Sequence, residues 1–224
     1  LDLILGIASC SLDEAVWLCK RAEEFGASSV LLMAPYYFRS ASRTGIRDWF
    51  LHVLDKAPLP VLIYNFPQRT GVTISAEDLS VLVEHPQFFG AKDSSGEREN
   101  LESYRAAVPG KTLFVGDETL LLDALRAGWQ GTISGASNVL APWIVQMVKE
   151  WQDGEIESAE TKFELLLPLL QAIRQQPQPA THKALLARAS IINLPDVRLP
   201  LESADIRNVE ALEASFKSRL GFVL

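Results

Sequence analysis

Lys92 ends an apolar run, Phe88-Phe89-Gly90-Ala91, and a small polar loop, Asp93-Ser94-Ser95-Gly96, follows it. A lysine in that position can snorkel, laying its stem on apolar surface with its ammonium in water. Burial would instead favour the free amine over the ammonium. A free amine can attack a ketone and form a Schiff base. Tyr64 ends the preceding apolar run, Pro60 to Tyr64. A phenol beside a forming carbinolamine can give and take protons, although a rim tyrosine with a satisfied hydroxyl has the same sequence signature. Arg69 stands five residues on, in Phe66-Pro67-Gln68-Arg69-Thr70-Gly71. Its guanidinium could grip a carboxylate through two hydrogen bonds, or face water as a loop arginine.

Other chemistries fail on spacing. Gly110-Lys111-Thr112 has the tail of a phosphate-binding loop, but Arg105 stands where the first glycine is required. That tripeptide also precedes a strand-like run rather than a helix, which argues against nucleotide binding. His52, His85 and His182 show no metal-ligand spacing. No G-x-S-x-G elbow is present. Cys10 and Cys19 read as small core or helix residues. The apolar stripe from Trp143 to Trp151 reads as helix packing.

The elements that must position these residues alternate regularly. Apolar runs at 1–7, 29–33, 60–64, 88–92, 112–115 and 131–134 read as six strands. Helical patterns fall at 44–56, 75–84, 97–108 and 119–127, with a first one after a Ser11/Glu14 capping box and ending at Gly26. Helices over 142–152, 156–175, 180–191 and about 208–220 follow. The strands are apolar on both faces, as parallel strands covered by helices must be. Repeated βα units predict an α/β fold with a parallel sheet. Periodicity fits a doubly wound sheet and a (β/α) barrel alike, though no glycine-rich dinucleotide fingerprint follows the first strand. In either fold, function collects at the C-terminal ends of strands, where Tyr64 and Lys92 stand.

Composition narrows the partners. Of 224 residues, 48% are apolar, 22% charged and 8% aromatic, and the net charge is −7. An acidic chain argues against nucleic acid as a partner. No run of about 18 apolar residues is present, so no membrane span is expected. Two cysteines cannot form a disulfide framework, which predicts a reducing, cytoplasmic setting. No basic n-region or cleavage-site pattern marks a signal peptide.

The segments Tyr64-Asn65-Phe66-Pro67-Gln68-Arg69-Thr70-Gly71 and Gly90-Ala91-Lys92-Asp93 together resemble the dihydrodipicolinate synthase / N-acetylneuraminate lyase family. Pro35-Tyr36-Tyr37, Gly116-Asp117, Gly131-Thr132-Ile133-Ser134 and Val197-Arg198-Leu199-Pro200-Leu201 extend the resemblance along the whole chain. The resemblance implies a (β/α)8 barrel, with 1–153 as barrel units and 154–224 as a C-terminal helical extension. It implies that Lys92 forms a Schiff base with pyruvate and that Tyr64 shuttles protons at the imine. It implies that Tyr37 reaches a neighbouring subunit's proton relay and that Arg69 binds the second substrate's carboxylate. Ile133 would turn its backbone carbonyl to the pyruvyl group, and Asn65 and Gly116 would contact substrate. It further implies a homodimer or homotetramer of small-molecule enzymes.

Two departures from the family pattern matter. The family has two βα units ahead of the strand matched here by 1–7, the second ending in a Gly-Thr-Thr-Gly-Glu type motif that supplies a proton-relay threonine and a cradle for the pyruvate carboxylate. No such motif occurs in this sequence, so these 224 residues alone are expected to be incompetent. The loop after Lys92 is Asp93-Ser94-Ser95, closer to the sugar-acid aldolase branch than the Glu-Ala-Thr type of the synthase branch, whereas Arg69 resembles the synthase branch. Cys10 stands where lysine-inhibited synthases tend to carry asparagine, which argues against that feedback. The resemblance therefore implies a pyruvate-dependent synthase or lyase, such as one condensing pyruvate with aspartate semialdehyde. The alternatives are a 2-keto-3-deoxy sugar-acid aldolase or dehydratase, and a non-catalytic barrel that binds a keto acid. No metal or organic cofactor is expected, because an imine does the work of a metal.

Overall fold

The computed structural model describes residues 2–221. The chain divides into two compact units, Leu1–Thr132 and Ile133–Leu224. The first holds six parallel strands: β1 (Ile4–Ile7), β2 (Ser29–Met33), β3 (Val61–Asn65), β4 (Phe88–Asp93), β5 (Thr112–Val115) and β6 (Gly131–Thr132). Their order in the sheet is their order in the chain. A doubly wound sheet reverses direction at a switch point. Here each strand lies beside its sequence neighbours, as strands do in a barrel wall. This decides what periodicity left open.

Between the strands lie α1 (Leu12–Glu24), α2 (Arg43–Lys56), α3 (Pro67–Thr70), α4 (Ala76–Leu82), α5 (Glu99–Ala107) and α6 (Leu121–Arg126). Single 3-10 turns occur at Tyr36–Phe38 and Glu118–Leu120. Val30, Leu32, Ile63, Ala91 and Leu113 point to the face where α1 packs on β1 and β2 and α6 packs on β5 and β6, and all five are buried. Burial of such side chains, at about 25 cal/mol per Å² of apolar surface, drives the layering. The other face carries the row Met33, Tyr64, Lys92 and Phe114, paired side by side across β2 to β5.

Local chemistry sets the boundaries. Ser11 caps α1 by accepting from the Glu14 N–H, but the box is not reciprocal. The Glu14 carboxylate takes the Ser9 hydroxyl instead, and Ser9 in turn accepts from the Ser11 N–H. The full capping box is at α4, between Ser75 and Asp78. That helix stops at Leu82 rather than 84, because the turn before Pro86 begins with His85 bonding back to Leu82. β6 stops at Thr132 rather than 134; the Thr132 hydroxyl is spent on the Val115 carbonyl at 2.6 Å. Gly90 bears the closest constraint, since a Cβ there would lie 1.8 Å from the Thr112 carbonyl oxygen. It sits just after the register shift between β3 and β4, where only glycine admits the approach of β5.

The second unit is helical: α7 (Ser137–Gln152), α8 (Ile156–Arg174), α9 (Ala180–Arg188) and α10 (Ile206–Leu220). α7 and α10 each pack on α8 and α9. α7 begins five residues before Pro142, because Ser134 accepts the Ser137 N–H and starts the helix early. Pro142 then falls in its second turn at the cost of one backbone bond. Ile144 and Met147 bury one face of this helix, as the packing reading of the Trp143–Trp151 stripe expects. Lys162 and Ser158 of α8 both bind Glu150 of α7, at 2.6 and 2.9 Å. No helix among the described residues is long and apolar enough to cross a membrane.

Candidate active site

Strand alternation sorts the ends of β3 and β4 into two faces. Lys92 and Ser94 point one way, and Asp93 and Ser95 the other. Tyr64 shares the face of Lys92, while Asn65 shares that of Asp93.

On the first face, Lys92 is 8% exposed and its Nζ lies 4.1 Å from the centroid of the Tyr64 ring. Lysines are almost never buried unless paired. Here the recorded contact is the face of a phenol, with no carboxylate partner among the described residues. A cation over an aromatic face is attracted by the ring quadrupole, yet the amine keeps its lone pair for chemistry once it loses its proton. The Tyr64 ring stacks on Phe66, centroids 5.6 Å apart. The Arg69 guanidinium lies 5.9 Å from the Phe66 ring. Amine, phenol, phenyl and guanidinium thus form one succession along this face.

Arg69 reaches that position through α3. Pro67 starts this single turn, and Gly71 ends it at φ 66°, a left-handed conformation that favours glycine. Thr70 locks the turn by donating to the Phe66 carbonyl and accepting from the Val72 N–H. The turn is absent from a periodicity reading because four residues carry no helical period.

The second face is a support. Asp93 is 3% exposed, and its carboxylate accepts from Asn65 Nδ2 at 2.7 Å, from the Ser95 N–H at 3.1 Å and hydroxyl at 2.7 Å, and from Asn100 Nδ2 at 3.2 Å. Asn65, 1% exposed, also accepts from the Ile74 N–H at 3.0 Å. Such saturation is what a buried carboxylate requires. Tyr104 donates to the Ile74 carbonyl. Burial, reinforced by the charges of Asp93 and Asp78, pushes its phenol well above the usual range and keeps it neutral. This network ties β3, β4 and α5 together directly behind the lysine.

Gly116, just past β5, supplies clearance. A Cβ there would lie 1.8 Å from Ser94 Oγ and 2.9 Å from Lys92 Cε. The backbone closes around the same point, with the Gly116 N–H on the Asp93 carbonyl at 2.7 Å and the Ser94 N–H on the Asn65 carbonyl at 2.8 Å.

Of the residues singled out in the sequence, Lys92, Tyr64 and Arg69 come together, with Gly116 against the lysine stem. Asn65 works from the opposite face, as part of the support. Tyr37 stands apart on its turn, 79% exposed, its ring edge-on to Phe38 and its N–H on Cys10 Sγ at 3.2 Å. Cys10 is therefore a half-buried loop residue rather than a core one, and its thiol raises the neighbouring Tyr36 phenol. Cys19 is fully buried in α1, where burial pushes its thiol up to about 11. Ile133 opens the second unit, one residue past β6, and is half-buried. Lys111 donates to the Phe88 carbonyl at 2.8 Å, a strand-to-strand tie. Among the described residues, no group of three His, Cys, Asp or Glu side chains could hold a metal ion. Sequence reasoning missed Phe66, Ser94 and Asn100; alternation beyond Lys92 was the signal for Ser94.

Comparison with known proteins identifies the family of the chain. The model of the dihydrodipicolinate synthetase family matches residues 1–219. The 4-hydroxy-tetrahydrodipicolinate synthase of Thermodesulfovibrio yellowstonii is 32% identical over 219 residues, covering 97% of this chain and 75% of that protein. The one from Gluconobacter oxydans is 34% identical over 218 residues, covering 96% and 72%. Among solved structures, the 4-hydroxy-tetrahydrodipicolinate synthase of Methylacidiphilum fumariolicum SolV superposes with a TM-score of 0.91 at 31% identity, covering 99% of this chain and 75% of that one. The chain belongs to the dihydrodipicolinate synthetase family.

Proposed function

We propose that this protein is a Schiff-base enzyme that condenses pyruvate with an aldehyde, in the manner of a 4-hydroxy-tetrahydrodipicolinate synthase. The observation that carries the reading is a buried lysine without an ion-pair partner, facing a tyrosine ring 4.1 Å away, in a chain of this family. The strand order and the family together support a (β/α)8 barrel, of which β1 to β6 are wall strands.

Lys92 Nζ attacks the keto carbon of pyruvate to form a carbinolamine. Tyr64 moves the protons that let water leave, and an iminium results. The iminium draws electrons from the methyl carbon, which loses a proton to give an enamine. The enamine carbon attacks the aldehyde carbon; the new bond forms as the aldehyde C=O π bond breaks, its oxygen takes up a proton to become a hydroxyl, and the iminium is restored. Water then hydrolyses the imine and returns the free lysine. Arg69, carried on α3, holds the aldehyde substrate by its carboxylate. Asn65 and Gly116 hold the two strand ends in place. Tyr37, on its exposed turn, reaches a second copy of the chain in a homodimer or homotetramer.

One observation favours a second reading. Ser94 brings a hydroxyl to the face of Lys92, where the synthase branch resembled here has a methyl group. Cleavage of a hydroxylated 2-keto-3-deoxy sugar acid would use that hydroxyl. Steady-state assay of both reactions separates the two. The synthase reading expects pyruvate consumption that depends on aspartate semialdehyde. Turnover of the sugar acid alone would replace it with the second reading, and turnover of neither would favour a non-catalytic keto-acid-binding barrel.

A further inference from the structure

We propose that Ser94 is a positioning residue for the Tyr64 phenol, a role that rests on the Schiff-base reading of Lys92. Three observations converge on it. The Ser94 hydroxyl donates to the Tyr64 hydroxyl at 3.3 Å. The backbone of Ser94 is fixed by continuation of the strand ladder, its N–H on the Asn65 carbonyl at 2.8 Å and the preceding Asp93 carbonyl on the Gly116 N–H at 2.7 Å. Space for the hydroxyl exists because residue 116 is glycine, whose Cβ would otherwise sit 1.8 Å from Ser94 Oγ. The held backbone and the room left by Gly116 together admit the hydroxyl at this place.

The chemistry follows from the direction of the bond. A phenol that gives its proton to the departing hydroxyl of a carbinolamine becomes a phenolate. A hydroxyl donor on that oxygen stabilises the negative charge that develops there as the proton leaves. The same bond holds the phenol oxygen in one orientation while the ring packs against the amine. No atom of Ser94 is consumed; its proton stays on Oγ and only the strength of the bond changes.

The test is the rate of pyruvate imine formation against pyruvate concentration, followed by borohydride trapping and mass spectrometry. It needs no second substrate. Ser94→Ala is expected to slow trapping about three- to ten-fold at neutral pH, from the loss of one hydrogen bond to a developing charge. The half-saturating pyruvate concentration should stay unchanged, so the loss falls on the rate and not on binding. Ser94→Thr, which keeps the hydroxyl, should restore most of the rate. In a Tyr64→Phe background, Ser94→Ala should cost nothing further, because the two residues act as one unit. A full and independent cost in that background would mean that Ser94 acts without Tyr64, and would overturn the proposal. So would an Ala variant that traps pyruvate at the unaltered rate. No adduct in the unaltered protein would instead bring down the Schiff-base reading itself, and the role of Ser94 with it.

Discussion

Tyr64 and Lys92 are register partners on adjacent parallel strands, and the amine of one lies 4.1 Å from the ring centroid of the other. Pairing in a parallel sheet puts partners side by side on one face. The pair is therefore placed by the backbone ladder, and whatever holds the ends of β3 and β4 in register holds it.

Gly116 tests that placement most sharply. Gly116→Ala drives a methyl group into Ser94 and the Lys92 stem. Displacement of about 1 Å at reacting groups can cost 100-fold in rate. Turnover should fall by about that factor with circular dichroism unchanged, and the overpacking should lower stability by about 1–3 kcal/mol. Wild-type kcat in this variant would show that the lysine stem does not need the clearance.

Asn65 tests the support. Asn65→Ala strips the Asp93 carboxylate of one donor and the Ile74 N–H of its acceptor. Leaving buried groups unsatisfied costs about 1–3 kcal/mol each. Urea denaturation should show a loss of that order, with activity reduced in parallel. A stable but inactive variant would instead assign Asn65 to substrate contact.

Arg69→Ala separates the two substrates. The guanidinium stands at the far end of the succession from the amine. Its loss should raise KM for a carboxylate-bearing aldehyde by about 10- to 100-fold, as expected for a charge-assisted pair, and leave pyruvate trapping unchanged. Equal effects on both substrates would contradict a separate aldehyde grip.

Acid stability follows from Asp78. Burial pushes its carboxyl up, but the Ser75 donors, Arg47 and Arg43 outweigh burial and hold it below the usual carboxylate range. The folded value is depressed, so folding favours the ionised form. This contribution is present above the unfolded carboxylate value, about 3.9, and is lost as pH falls through the depressed folded value. Wild type should therefore lose more stability on acidification from neutral pH than Asp78→Asn. Parallel losses in the two proteins would remove Asp78 from the account.

All six strands were legible as apolar runs, because parallel strands in a sheet backed by helices carry apolar residues on both faces. Ser75 capped α4 as read, and Gly26 follows α1 at φ 77°. Arg69, Tyr64 and Lys92 were legible because they sit at or just beyond strand ends. The sheet order was not, since alternation of βα units is the same in open and closed architectures. The role of Asn65 was hidden because its partner, Asp93, lies 28 residues away. Ser94 was hidden by its commonness; alternation separates it from Ser95, which points into the support, but only its distance to the phenol shows what it meets.

The account stands on the amine of Lys92. Incubation of the protein with pyruvate and borohydride, followed by peptide mapping, should place a single reduced adduct on the peptide carrying Lys92 and none after Lys92→Ala. An unmodified Lys92 in protein that turns over pyruvate, or an adduct on another lysine, would contradict it.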